Sequence, residues 1–246
     1  MKILLTLSYV GTAYCGWQTQ KNLVSVQSVV QDAVEGVFGK RYSVTGCSRT
    51  DSGVHARGFR CTVDIDAEAP HIPEEKLPIA LNTKLPYDVS VLKAAYVDDS
   101  FHARYSVKSK RYEYVIHNSP LRDPFLSGRA WTVPIRLDEV VMDNAAKEFI
   151  GTHDFSAFRA VGSDVPDSVR TVFEASVRRE GDMVIFSVSA NGFLYNMVRI
   201  MVGTLVDLAR GRLSSDVGGI IESRDRRNAG ITAPPDGLTL TEVQYD

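Results

Sequence analysis

Cysteine is scarce in this 246-residue chain: Cys15, Cys47 and Cys61 are the whole set, and no two form a C-x-x-C pair. Three scattered thiols argue against a disulfide framework or a thiolate metal site, and read as small hydrophobes of a reducing compartment. The five histidines show neither H-x-x-x-H nor H-E-x-x-H spacing, so no bound metal is expected. Ten prolines and 18 glycines are too few for a linker or collagen-like chain. No apolar run reaches the length of about 18 residues that a membrane span needs. The strongest candidate, residues 193–209, is interrupted by Asn196, Arg199 and Asp207. The opening residues 1–7 run into Ser8 and Gly11 and lack the apolar region of about 7–15 residues of a secretory leader, so none is expected. A net charge of −2 disfavours a protein that coats DNA.

The chain is 44% hydrophobic and 24% charged, which is ordinary for a folded globular protein. At about 100–200 residues per domain it suits one large or two modest domains. Charge is uneven along it. Residues 104–112 hold Arg104, Lys108, Lys110 and Arg111 with no acid, and residues 64–75 have the opposite bias. A local groove can therefore still hold a polyanion, because phosphate binding depends on where the cations sit.

Residues 3–9 alternate as a strand. Ser25 is a good N-cap for a helix to Phe38, with Val26, Val29, Val30, Ala33, Val34 and Val37 forming its apolar stripe and Gly39 its stop. Strands are expected over 41–46, 56–65 and 89–96, and a short helix over 73–82. The second half repeats this order: a strand over 107–117, a helix over 137–150, a hairpin of 171–179 with 183–190, an apolar helix over 194–210 and a strand over 238–244. The fold class is therefore α+β. It consists of two ferredoxin-like β-α-β-β-α-β halves, with antiparallel sheets expected to meet at a central catalytic cleft. The boundary is placed at 103/104: residues 1–103 carry an Asp loop, and residues 104–246 carry a Tyr strand and an Arg helix. Segments 119–134, 159–170 and 214–235 are long for loops and read as functional lids.

Fold does not fix function, which is carried by sites. In residues 46–56, Asp51 lies in a small-residue loop between two strands, with Arg49 two residues before it and His55 four after. The commoner explanation of Asp-Ser-Gly is a turn bonded to its own backbone. The surrounding basic and hydroxyl side chains raise the functional alternative. Asp51-Ser52-Gly53 also fits the D-[ST]-G of aspartic proteases, but that chemistry needs a second such carboxyl, and none occurs. Arg199 lies in an apolar helix, where a buried guanidinium needs an anionic partner; the alternative is a stem that snorkels to water. Residues 108–114 alternate cations and aromatics, which suits either a two-sided core strand or a platform for bases and phosphates. The loop 9–20 reads as a glycine turn with Trp17 as a core plug.

Together these stretches resemble the TruA-type tRNA pseudouridine synthases. R-T-D-x-G-V-H-A is met without a gap by residues 49–56, and Y-x-G-T-x-[YF]-x-G-W-Q-x-Q by residues 9–20. K-x-[KR]-R-Y-x-Y is met by residues 108–114, and F-L-Y-x-M-V-R-x-[ML]-V-G-T-L by residues 193–205. Residues 151–158 and 233–238 also fit, so the resemblance spans essentially the whole chain. Val10 stands where the family usually has Asp, and Ser48 where it often has Gly.

The resemblance implies an isomerase that converts uridine to pseudouridine at positions 38, 39 and 40 of the tRNA anticodon stem-loop. It implies a cytoplasmic homodimer that binds tRNA and no membrane, and that uses no cofactor. It makes Asp51 the catalytic aspartate and Arg199 its salt-bridge partner. Tyr112 becomes the aromatic against the target base, and Arg49 helps to hold the flipped nucleotide; His55 is a further substrate-binding candidate. The rival readings are a non-catalytic RNA-binding protein and a metabolic enzyme on the same fold. Asp51 separates the first rival from the enzyme, because an ionised carboxylate facing an anionic ligand weakens simple binding.

Overall fold

A computed structural model describes residues 1–162 and 166–245. Residues 163–165, within the expected lid 159–170, lie outside the described residues. The chain divides into two compact units, residues 1–108 with 239–246, and residues 109–238. The division falls at 108/109 rather than 103/104. It also groups nearly all of the closing strand, expected with the second half, with the first.

The first unit contains β1 (Lys2–Tyr9), α1 (Val26–Phe38), β2 (Val44–Gly46), β3 (His55–Asp64), α2 (Leu77–Asn82) and β4 (Val89–Val97). β1 lies between β3 and β4, antiparallel to both, and β2 pairs antiparallel with the far side of β3. This is the expected β-α-β-β-α-β order. The register sets Ile3 opposite Val63, Leu5 opposite Cys61 and Leu7 opposite Phe59, so one face of the sheet is a continuous buried apolar layer.

Ser25 caps α1 in a reciprocal capping box with Ser28, and Gly39 ends it at φ 73°. α1 is rich in valine, which lowers intrinsic helix propensity by roughly half a kcal/mol per residue. Burial outweighs this: Val26, Val30, Val34 and Phe38 are buried, at roughly 1.5–3 kcal/mol each. β2 is shorter than expected because only residues 44–46 find partners on β3. α2 starts four residues later than expected, because residues 73–76 form a turn in which the Lys76 N–H donates to Pro73 O.

The second unit contains β5 (Ser109–His117), β6 (Trp131–Thr132), α3 (Glu139–Lys147), β7 (Gly151–Asp154), β8 (Val169–Glu180), β9 (Met183–Ala190), α4 (Met197–Ala209) and α5 (Val217–Ser223). β9 lies between β5 and β8, and β8 also carries β7, all antiparallel. Facing rows Tyr112–Val188–Ala175 and Tyr114–Phe186–Val177 put apolar side chains on one buried face. α3 packs on β8 and α4. The last strand, β10 (Leu238–Gln244), pairs parallel with the start of β3 through Thr239 and Leu240.

α4 starts at Met197 rather than at residue 194, because Asn196 takes a left-handed conformation at φ 59° and breaks the helix. Arg199 is therefore in the first turn of α4 rather than in its interior. No helix among the described residues is long and apolar enough to cross a membrane.

Candidate active site

Asp51 is half-buried in the loop between β2 and β3. Its flanking peptides are held by the loop that follows β1. The Trp17 N–H donates to Thr50 O (3.1 Å), and the Gly53 N–H donates to Tyr14 O (3.3 Å). The Ser52 hydroxyl donates to the same Tyr14 oxygen at 3.2 Å, and Tyr9 Oη shares a hydrogen bond with Thr50 Oγ1 at 2.9 Å. The Val54 N–H closes a turn on Asp51 O at 3.2 Å. A stretch poor in large side chains thus gains a fixed backbone from its neighbour. Trp17 is 3% exposed and packs on Phe59 with centroids 4.1 Å apart, so it is the core plug of that brace.

The brace is anchored in turn. The Tyr14 hydroxyl donates to Asp88 Oδ1 at 2.6 Å, and the Val10 N–H donates to Asp88 O at 2.9 Å. Burial, reinforced by the bond to this carboxylate, pushes the Tyr14 pKa well above its ordinary value. Tyr9 and Tyr14 belong to the loop motif read from sequence, without an assigned role, whereas Asp88 was not singled out. Asp88 gave no signal there, because Pro-Tyr-Asp before a strand reads as an ordinary turn.

His55 is buried at the start of β3, and its Nδ1 accepts the Gly11 N–H at 2.9 Å. That nitrogen is therefore unprotonated and the ring is neutral in this arrangement, so His55 ties the two loops together. Arg49 is exposed in the same loop. Asp51, Arg49 and His55 thus come together within the first unit.

The second unit holds Tyr112 and Arg199. Tyr112, on β5, is 6% exposed and meets Phe193 edge-to-face with centroids 5.1 Å apart. Arg199 is half-buried. Its Nε donates to Ala233 O and one Nη donates to Asn196 Oδ1, both at 2.8 Å. The Ala233 N–H donates back to Arg199 O at 3.1 Å, which latches residues 229–233 to α4. A cation in the first turn of a helix opposes the helix dipole, so this end of α4 concentrates positive potential suited to an anion. Tyr114, two residues beyond Tyr112, donates its hydroxyl to Pro234 O at 2.8 Å, and burial raises its pKa.

Comparison with known proteins places the chain in a class. A sequence profile described as tRNA pseudouridine synthase matches residues 6–106 and 145–246. The chain belongs to the tRNA pseudouridine synthase family, isomerases that convert uridine to pseudouridine in tRNA. It is 46% identical over 244 residues to the tRNA pseudouridine synthase A of Thermoanaerobacter sp. (strain X514), covering 99% of each chain. It is 45% identical to that of Acetivibrio thermocellus and 41% identical to that of Clostridium acetobutylicum, again over 244 residues and 99% of each chain.

The brace makes a prediction for Gly11. A Cβ there would lie 1.9 Å from Val54 O, so Gly11→Ala must push the backbone beside Asp51 out of place. A displacement of about 1 Å in a reacting group can cost roughly 10²-fold in rate. Turnover of tRNA by Gly11→Ala is therefore expected to fall by about that factor; turnover equal to native would show that the brace does not position the loop.

Proposed function

We propose that the chain converts uridine to pseudouridine at positions 38, 39 and 40 of the tRNA anticodon stem-loop, as a cytoplasmic homodimer that needs no cofactor. Asp51 is the catalytic carboxylate and Arg199 a second catalytic residue, a cation. Tyr112 takes the target base, with Arg49 and His55 as substrate-binding residues. The observation that carries this reading is the R-T-D-x-G-V-H-A loop, met without a gap and fixed by hydrogen bonds on both sides of Asp51. The position on tRNA, the dimer and the compartment are supported by the motifs at residues 9–20, 108–114 and 193–205, which follow the family's pattern in order.

The reaction is an isomerisation. The N1–C1′ bond breaks, the uracil turns, and C5 bonds to C1′; the C5 proton is lost to water and N1 regains one. An ionised carboxylate beside a sugar carbon that develops positive charge is the arrangement glycosidases use. The base must first leave the stem, at a cost of a few kcal/mol. An aromatic stack of about 1–3 kcal/mol can offset much of that cost.

Because the C5 hydrogen exchanges with water, tRNA transcripts tritiated at uracil C5 report turnover directly. The purified chain is expected to release tritium with nothing added. Transcripts with cytidine in place of uridine at 38, 39 and 40 should release none. Undiminished release from them would contradict the assigned positions.

A further inference from the structure

The second unit carries a cluster of cations that the chemistry above does not use. A cavity of about 540 Å³ is lined by Ser156, Arg159, Arg224, Asp225 and Arg226, among others. Arg226 is half-buried, and its guanidinium donates to two neutral oxygens, Ala229 O and Thr232 Oγ1, each at 3.2 Å. Burial pulls its pKa below the ordinary arginine value with no carboxylate to offset the effect. A desolvated cation lining a cavity is completed by an anion from outside.

Arg224 adds a second cation to the lining, and it ends α5 as a left-handed C-cap at φ 52°. Its Nε lies 3.4 Å from Asp154 Oδ2. Asp154 is itself fixed, because its Oδ1 accepts the Ser156 N–H (3.0 Å) and the hydroxyls of Ser156 (2.5 Å) and Ser168 (2.6 Å). Those bonds hold its carboxyl below the usual range, so it stays charged beside the largely exposed Arg224 guanidinium. The acid in the lining, Asp225, is engaged elsewhere: Arg227 grips both its oxygens and holds its pKa down to about 2. Among the described lining residues Arg159, Arg224 and Arg226 outnumber the single acid Asp225, which leaves that lining net positive.

Guanidinium forks suit phosphate oxygens, and a cavity of this size has room for a nucleotide unit. We propose that this cavity binds a backbone phosphodiester of the RNA substrate; the proposal rests on the reading that the substrate is tRNA. The site then contributes affinity and register rather than chemistry.

The test uses the full chain with Arg224→Gly and Arg226→Gln. Glycine accepts φ 52°, so Arg224→Gly removes the cation while relieving the backbone, and it decides the matter if Arg226→Gln lowers the melting temperature. The Kd for unmodified tRNA is measured across salt concentrations, beside tritium release at saturating tRNA. Each variant is expected to bind about 3–10-fold more weakly near 0.15 M salt. The slope of log affinity against log salt should become shallower by about one. The loss should be confined to affinity, with turnover at saturation within about twofold of native. Native Kd and salt slope in Arg224→Gly would overturn the proposal, as would a fall in saturated turnover with affinity unchanged. Because Kd is read without turnover, a chain that binds tRNA through this cavity yet makes no pseudouridine would refute the proposed function and leave this inference standing.

Discussion

Asp51→Asn is expected to lower tritium release from C5-labelled tRNA by a factor on the order of 10⁴ or more, while tRNA binding persists. The substitution keeps the size and shape of the side chain and removes its charge. The backbone that carries the residue is fixed by groups that do not depend on that charge: the Trp17 N–H on Thr50 O before it, and the Gly53 N–H on Tyr14 O with the Val54–Asp51 turn after it. The loop should therefore keep its conformation. What is lost, on the proposed reading, is the negative charge set beside the sugar carbon, the one feature of this loop that a purely binding protein would not want next to an anionic ligand. Unchanged or tighter tRNA binding with no turnover fits the enzyme. Turnover near the native rate would mean that the carboxylate has no part in the reaction.

Gly203→Ala is expected to destabilise the protein by about 3 kcal/mol or more, lowering the melting temperature by roughly 6–12 °C. Intrinsic propensity alone predicts the opposite, since alanine is better than glycine inside a helix by about 1 kcal/mol. Geometry decides. A Cβ at Gly203 would lie 1.8 Å from Ile231 O and 2.7 Å from Ile231 C, both backbone atoms that cannot rotate away. Segment 229–233 is bound to α4 at that level: the Gly230 N–H donates to Thr204 Oγ1 at 3.0 Å, and the Ile231 N–H to Asp207 Oδ2 at 3.2 Å. Moving it also pulls Ala233 from Arg199, so turnover should fall with stability. A melting temperature equal to or above native would contradict this packing.

The sequence was most informative where local chemistry and periodicity agree. Ser25 and Gly39 mark the ends of α1, and the Val26–Val30–Ala33–Val34 stripe is the buried face. β9 falls on residues 183–190, as alternation and the Gly181 turn indicate. Long-range partners and unusual backbone states left no such trace. Asn196 interrupts the apolar run of residues 194–210, but the helical period resumes after it, so the left-handed break that puts Arg199 in the first turn of α4 was not read from the pattern. α5 was read as loop because Gly218 and Gly219 mask a helix that Asp216 caps through Gly219 N–H. At the site, Asp51, Arg49 and His55 stood out because they crowd one short loop. The hydrogen bond from Tyr14 to Asp88 spans 74 residues and had no local signature. Arg224 and Arg226 were hidden in a polar stretch whose positive cavity arises only when α5 and the turn after it fold against residues 154–162.

The central claim is that the charge at residue 51 turns bound tRNA into product. Mapping pseudouridine along one unmodified tRNA, incubated in parallel with native chain and with Asp51→Asn, tests it most directly. New pseudouridine confined to positions 38–40 is expected with the native chain, and none with the variant. Product from both, or from neither, would contradict the account.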